Sequence, residues 1–423
     1  MKRIMRIVSC LLALTLLCGT AAFALQSGAD LPVSAEQAEL KWTYRAGTDY
    51  KNAPTIPAYY DGKVYFMHAD KLSCIDADNG KLLSECTLSG RNQYTQVPVL
   101  CTDKYVYCPM DGGKVQAVLR ADMKADWVYT DPLGGQGLTP IVTDGTRLYT
   151  GFWNDEEADA NFVCLDAQTG DRLWSVKRFG GYYRASCALS GGKVLLCGDD
   201  GSAKTGTGDL LCVDALSGEV LDTLSGIAGD FRAGFGSDGS NFYFATKAGI
   251  LYKVSLSGDK LTLEKQLKLH GDCTTTPILY GGKAYVTAMS GRYKGEVLVL
   301  NASTLAIEKT VELRAYPQGE ALLCTAEPLR LYTTYNSPPG GVQVVDLTAG
   351  TAADLFEPGE GMQNYSTSSV QVTSDGTLLF KNDSGVIIAV GKKAEKPLTL
   401  WQRFVLRIRQ FFEKLFSVFK VGR

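Results

Sequence analysis

The stretch CLDAQTGDRLW, Cys164–Trp174, is written twice more in the chain, as CIDADNGKLLS from Cys74 and as CVDALSGEVLD from Cys212. Each copy reads as a β-hairpin. An apolar strand ends at the aspartate, whose carboxylate accepts hydrogen bonds from the turn N–H groups, and the glycine takes the left-handed conformation that reverses the chain. In the first copy these residues are Asp166 and Gly170. Leu173 and Trp174 then start an outer strand, and the indole is large enough to cover a seam against a neighbouring unit. Weaker copies lie at Val118, Tyr252, Val299 and Val344, giving a degenerate period of roughly 44 residues.

Between these hairpins each unit starts with a short strand, such as LTPIV at Leu138 or TTPILY at Thr275. A glycine turn (YDGK, TDGT, SGGK) and a second strand (KVYFMH, KVLLCG, KAYVTA) follow. Four strands per unit and eight units predict an all-β fold, an eight-bladed β-propeller over residues 39–390. Seven blades is the alternative if the worn unit near Val118 is not a full blade. The last unit, GVIIAVGKK from Gly385, lacks an outer strand. The N-terminal ELKWTYR from Glu39 can supply it, with Trp42 in the tryptophan position, so the two chain ends are expected to close the ring and remove exposed sheet edges.

Residues 1–24 have a basic start (Lys2, Arg3, Arg6), an apolar run and small residues at Ala22-Phe23-Ala24, the pattern of a secretory signal peptide. The expected location is therefore across the cytoplasmic membrane, extracellular or periplasmic. Cys18 follows Leu17 rather than a small residue, which argues against lipidation. Of the 12 cysteines, Cys10 and Cys18 fall in this segment. The others hold repeated registers or sit inside apolar strands, where a thiol serves as a small buried hydrophobe. Equivalent positions in different blades are too far apart to bond, so mostly free thiols are expected. Two histidines and no CxxC pair argue against a zinc site. The acidic loop from Asp155 to Asn161 could wrap calcium, but it lacks the glycine and terminal glutamate of an EF-hand loop. A solvated loop is the favoured reading, and no metal is expected.

The pattern of a strand, then [DN]-A-x-[TNS]-G-x-x-[LV]-W, with T-P starting the inner strand, resembles the repeat of PQQ-like (pyrroloquinoline-quinone-type) propellers. That family includes quinoprotein alcohol dehydrogenases and BamB-type outer-membrane assembly lipoproteins. The resemblance covers about residues 39–390 and implies architecture, since the repeat residues build blades rather than a site. Its dehydrogenase branch implies an adjacent cysteine pair, a calcium-binding carboxylate set, a catalytic aspartate and a tryptophan beneath the quinone. No two cysteines are adjacent in this chain, and no serine elbow or HExxH occurs. The expectation is a non-catalytic binding or scaffold protein without PQQ, with a quinone- or metal-dependent enzyme as the alternative.

In such a ring the loops leading into each first strand, and those between second and third strands, emerge on one face. The tight glycine turns emerge on the other, so the variable face is the candidate for binding a protein or cell-envelope ligand. Aromatic and arginine residues are the usual anchors of recognition. On that face they are Tyr94, Trp153, Tyr182, Tyr183, Arg184, Phe231, Arg232, Arg292, Tyr293 and Tyr365. Nothing points to nucleic acid.

After the ring, residues 391–398 read as a polar linker and residues 399–423 as an amphipathic helix capped by Thr399 and Gln402. Trp401, Phe404, Ile408, Phe411, Phe412, Leu415 and Phe419 follow one helical face, while Arg403, Arg407 and Lys414 fall largely on the other. From Lys392 onward nine Lys or Arg stand against two Glu; with these and the three positive charges of residues 1–24 set aside, the whole-chain net charge of −2 leaves about −12 for the ring. Arg407 and Arg409 argue against a span. Such a basic helix is suited to lie in the interface of an anionic membrane.

Overall fold

The computed structural model describes residues 25–26, 30–93, 96–155, 158–198 and 206–394. The expected signal peptide, residues 1–24, and the expected helix, residues 399–423, lie outside these residues. Among the described residues the only helical element is the 3-10 turn Tyr50–Asn52.

Eight antiparallel sheets of four strands follow one another along the chain. Blades 1 to 7 cover residues 58–87, 100–130, 142–179, 188–228, 236–268, 278–313 and 322–356. Blade 8 takes Gln371–Val372, Leu378–Asn382 and Val386–Lys392 from the end of the ring and its outer strand, Ala38–Arg45, from the beginning. Trp42 stands opposite Ala389 there, so the chain ends close the ring. A two-residue strand, Leu25–Gln26, adds in parallel to the innermost strand of blade 7, Leu322–Cys324.

Burial follows from this stacking. The second and third strands are covered on both faces by neighbouring blades, so KVYFMH and YVYCPM are apolar runs without alternation. Outer strands have one wet face, and Lys124–Thr130 and Arg172–Phe179 alternate accordingly. The ten cysteines from Cys74 to Cys324 are free thiols, and all but Cys101 are buried.

The repeated hairpin behaves as its residues suggest. The N–H groups of Gln168 and Thr169 donate to Asp166 Oδ1 at 2.8 and 2.9 Å, and Gly170 has φ 76°. A bulge at Leu173 turns that side chain outward and sets Trp174 opposite Cys164. The Trp174 indole then lies on Gly218 of the next blade and donates to the Ala215 carbonyl at 3.0 Å. Trp42 does the same to Gly80 and Ala77, at 2.8 Å. Trp127 lies on Gly170, which makes the worn unit a full blade and the count eight.

That unit looks worn because Met123, φ 55°, replaces the turn glycine. Leu305, φ 59°, does so in blade 6. In both cases the facing seam position lacks a tryptophan: it is Ser84 before Met123 and Lys265 before Leu305. The buried side chain stands where an indole would otherwise be accepted: Met123 belongs to the same core cluster as Cys74 and Cys86 of blade 1, and Leu305 to that of Tyr243 and Leu251 of blade 5.

Candidate functional site: the channel mouth on the loop face

The innermost strands are short and surround a central channel. A cavity of about 190 Å³ runs between Val97–Leu100, Pro140–Val142, Ala233–Ser237 and Pro277–Leu279. Its walls are largely apolar; Gln96, Arg184, Arg232, Thr276, Glu320 and Ser369 come from the loop-face segments that lead into the first strands, and Ser186, Ser237 and Gln371 also line it.

Arg184 crosses the mouth. Its Nη2 donates to the Gln318 carbonyl at 2.6 Å, joining the segments ahead of blades 4 and 7. Its φ of 57° is rare for a side chain of this size, a local strain of the kind found at functional positions. The equivalent residue one blade on, Arg232, donates from Nη2 to the buried Asp230 carboxylate at 2.8 Å. Its guanidinium lies over the Tyr183 ring at 4.5 Å, in cation–π contact. Tyr183 meets the edge of Trp153 at 5.3 Å and donates to Gln96 Oε1 at 3.2 Å. A ladder of Trp153, Tyr183 and Arg232 therefore runs along one side of the mouth.

On another side, Glu320 accepts from the Thr276 N–H at 2.7 Å and from its hydroxyl at 2.9 Å. Burial pushes the Glu320 carboxyl above the usual carboxylate range, against these hydrogen bonds, which favour the ionised form. Lys381, fully buried, pairs with Asp383 at 3.3 Å. Burial pulls its amine down, and Asp383 pulls the other way. Asp230 and Glu320 are each held by a different partner.

Of the predicted face residues, Trp153, Tyr183, Arg184 and Arg232 come together at the mouth. Tyr182 and Phe231 do not belong to it. Tyr182 packs against Phe162 and occupies the space over Gly151, where a Cβ would come within 2.7 Å. Phe231 is buried among Phe235 and Phe244. Each precedes a residue that reaches the mouth, Tyr183 and Arg232. Arg292 and Tyr293, stacked at 5.3 Å, form an exposed hairpin tip, and Tyr365 is also exposed; none of the three lines the cavity. Tyr94 lies outside the described residues, as do all ten predicted membrane-binding residues, Trp401 to Phe419.

In the acidic loop, Asp159 pairs with Lys177 at 2.6 Å and Asn161 donates to both oxygens of Asp131. Among the described residues no three His, Cys, Asp or Glu are grouped to hold a metal ion. Sequence reading missed Lys381 and Thr276. The one available signal for the lysine was its position inside the apolar strand TLLFKN.

Residues 33–177 match the family model described as outer membrane protein assembly factor BamB. The PQQ-like resemblance thus has independent support over that stretch. Among solved structures, BamB from Moraxella catarrhalis is similar at 14% identity and TM-score 0.62, over 84% of this chain and 99% of that one. Quinohemoprotein alcohol dehydrogenase from Comamonas testosteroni is similar at 12% identity and TM-score 0.65, over 89% of this chain and 80% of that one. A computationally designed protein, Ika8, matches at 15% identity and TM-score 0.60, over 84% of this chain and 100% of that one. At these identities the likeness shows the fold alone. No curated protein sequence matches at a significant level.

Proposed function

Residues 33–177 carry the BamB-type repeat, and we propose that the ring built on it is an exported, non-catalytic binding or scaffold protein of the cell envelope. Its C-terminal helix holds it at a membrane surface, and its loop face binds a protein or envelope ligand. The observation that carries this reading is the ladder of Trp153, Tyr183 and Arg232 beside Arg184 at the channel mouth, with exposed Tyr293 and Tyr365 on the same face. These are the residue types that anchor protein recognition.

Two observations support the non-catalytic side over a quinone-using dehydrogenase. The adjacent cysteine pair is absent from the sequence. The carboxylates at the mouth accept from protein partners, Asp230 from Arg232 and Glu320 from Thr276, which counts against their forming a calcium set for a quinone. The BamB description supports an envelope location and protein binding.

The test is binding of solubilised envelope proteins to the immobilised ring, in parallel with a Tyr293→Ala/Tyr365→Ala double variant and with Leu216→Ala on the opposite face. A species retained by the wild type and by Leu216→Ala but lost from the double variant supports the reading. Equal retention by all three contradicts it. A quinone chromophore bound after incubation with PQQ and calcium would favour the enzyme instead.

A further inference from the structure

We infer that the ring stands on its turn face, so that the basic tail holds this face toward an anionic membrane and presents the loop face to the aqueous side. The inference rests on the membrane-handle reading above and adds an orientation to it.

Both chain ends converge on one corner of the turn face. Strand Val386–Lys392 starts at the loop face, where Val386 stands opposite Arg45, and runs down to Lys392, opposite Ala38. At the lower end the Lys393 N–H donates to the Gln37 carbonyl at 2.7 Å, and Lys392 Nζ pairs with Asp30 at 2.6 Å. Asp30 also covers Gly376, in the glycine turn of blade 8, whose Cβ would come within 2.9 Å of the Asp30 carbonyl. Lys41, Asp375 and Thr377 complete this recess. The exit of the tail is therefore pinned by sheet pairing and an ion pair up to Lys393.

The reach of the linker then fixes the level at which the amphipathic segment starts. From Ala394 to Thr399, where the amphipathic pattern starts, five residues reach at most about 17 Å. The strand Val386–Lys392 alone is seven residues long, about 20 Å, and the tail would have to climb that height and round the rim to reach the loop face. It starts instead at turn-face level. The charge balance agrees: from Lys392 onward nine Lys or Arg stand against two Glu, while the ring is acidic. The handle, not the ring, seeks the anionic surface. The partner of the loop face must then be a protein or domain that reaches it from the aqueous compartment rather than one lying in the same bilayer surface.

The test uses the full chain without its first 24 residues on phosphatidylcholine–phosphatidylglycerol vesicles that carry an acceptor dye on the lipid headgroup. A donor is placed through a non-natural side chain either at Ser374, exposed on the turn face, or at Tyr293 on the loop face. The thiols stay unlabelled, and a chain ending at Lys396 is the control. Energy transfer several-fold stronger from Ser374 than from Tyr293 in floated protein is the expected result. Flotation with equal or reversed transfer overturns the orientation and leaves the membrane handle standing. Failure to float, or flotation equal to that of the shortened chain, overturns the handle and the orientation with it.

Discussion

The two faces of the ring are built from the same blades, yet they use their side chains differently. On the turn face one arrangement recurs: an aspartate caps its own turn, as Asp76, Asp166, Asp214 and Asp346 do, and Asn301 does the same in blade 6. Beside it a turn glycine accepts an indole, at Gly80, Gly170 and Gly218, or the stem of Lys309, at Gly350, while Met123 and Leu305 stand at the glycine position in blades 2 and 6. On the loop face no two blades agree. Arg184 reaches across to Gln318, Arg232 stacks on Tyr183, Thr276 holds Glu320, and Lys381 is buried beside Asp383. Repetition here marks what the architecture requires, and departure from it marks where a partner can be recognised.

The sharpest way to break this contrast is at the turn-face seams. Trp42→Ala removes an indole from the core cluster that joins Ile387 of its own blade to Val64 and Phe66 across the closing seam. It is expected to cost about 3–5 kcal/mol in urea unfolding, as large-to-small core changes do. Gly218→Ala is expected to cost less but clearly more than Gly191→Ala. The first needs a Cβ 2.6 Å from Trp174 at φ 77°, whereas at Gly191, φ 55°, the Cβ meets nothing within 4 Å and only the backbone cost of about 1 kcal/mol remains. Equal effects would show that the indole does not set the glycine requirement.

Seam complementarity gives a finer test. Met123→Gly relieves a left-handed methionine yet should destabilise, because it empties buried space; adding Ser84→Trp should restore most of the loss. A double variant no better than the single one would sink the idea that seam residue and turn residue fill one shared space.

A smaller effect is expected from acid. The turn N–H groups of Thr169 and Gln168 hold the Asp166 carboxyl below its ordinary value. A group with a depressed folded pKa contributes stability that is fully present above its unfolded value, near ~3.9, and is lost as pH falls through the folded value. Asp166→Asn keeps the turn acceptor, as Asn301 does, without a titrating proton. Its stability relative to wild type should therefore improve as pH drops below about 4. A pH-independent difference between the two proteins would contradict this. Smallest of all, Tyr293→Ala should leave unfolding within about 0.5 kcal/mol of wild type, since its side chain is exposed.

What could be read from the residues follows the same division. The blades, the closure by ELKWTYR and the tryptophan seams were legible because each depends on local geometry repeated along the chain. The unit near Val118 looked worn because Met123 stands where glycine was sought, and only the facing Ser84 explains the exchange. Phe231 and Arg232 could not be sorted into core and mouth, because the segments leading into the first strands have no long period to read. The Arg184 contact spans 134 residues, and Lys381 is buried although it is charged. No pattern within one repeat carries either fact.

The most direct test of the division between faces is photo-crosslinking in the intact envelope from two sites of matched exposure. A photoreactive side chain replaces Tyr293 on the loop face, 67% exposed, or Leu216 on the turn face, 71% exposed. We expect a discrete protein adduct from position 293 and none from position 216. An adduct from position 216 alone, or the same adduct from both, would contradict the assignment of recognition to the loop face.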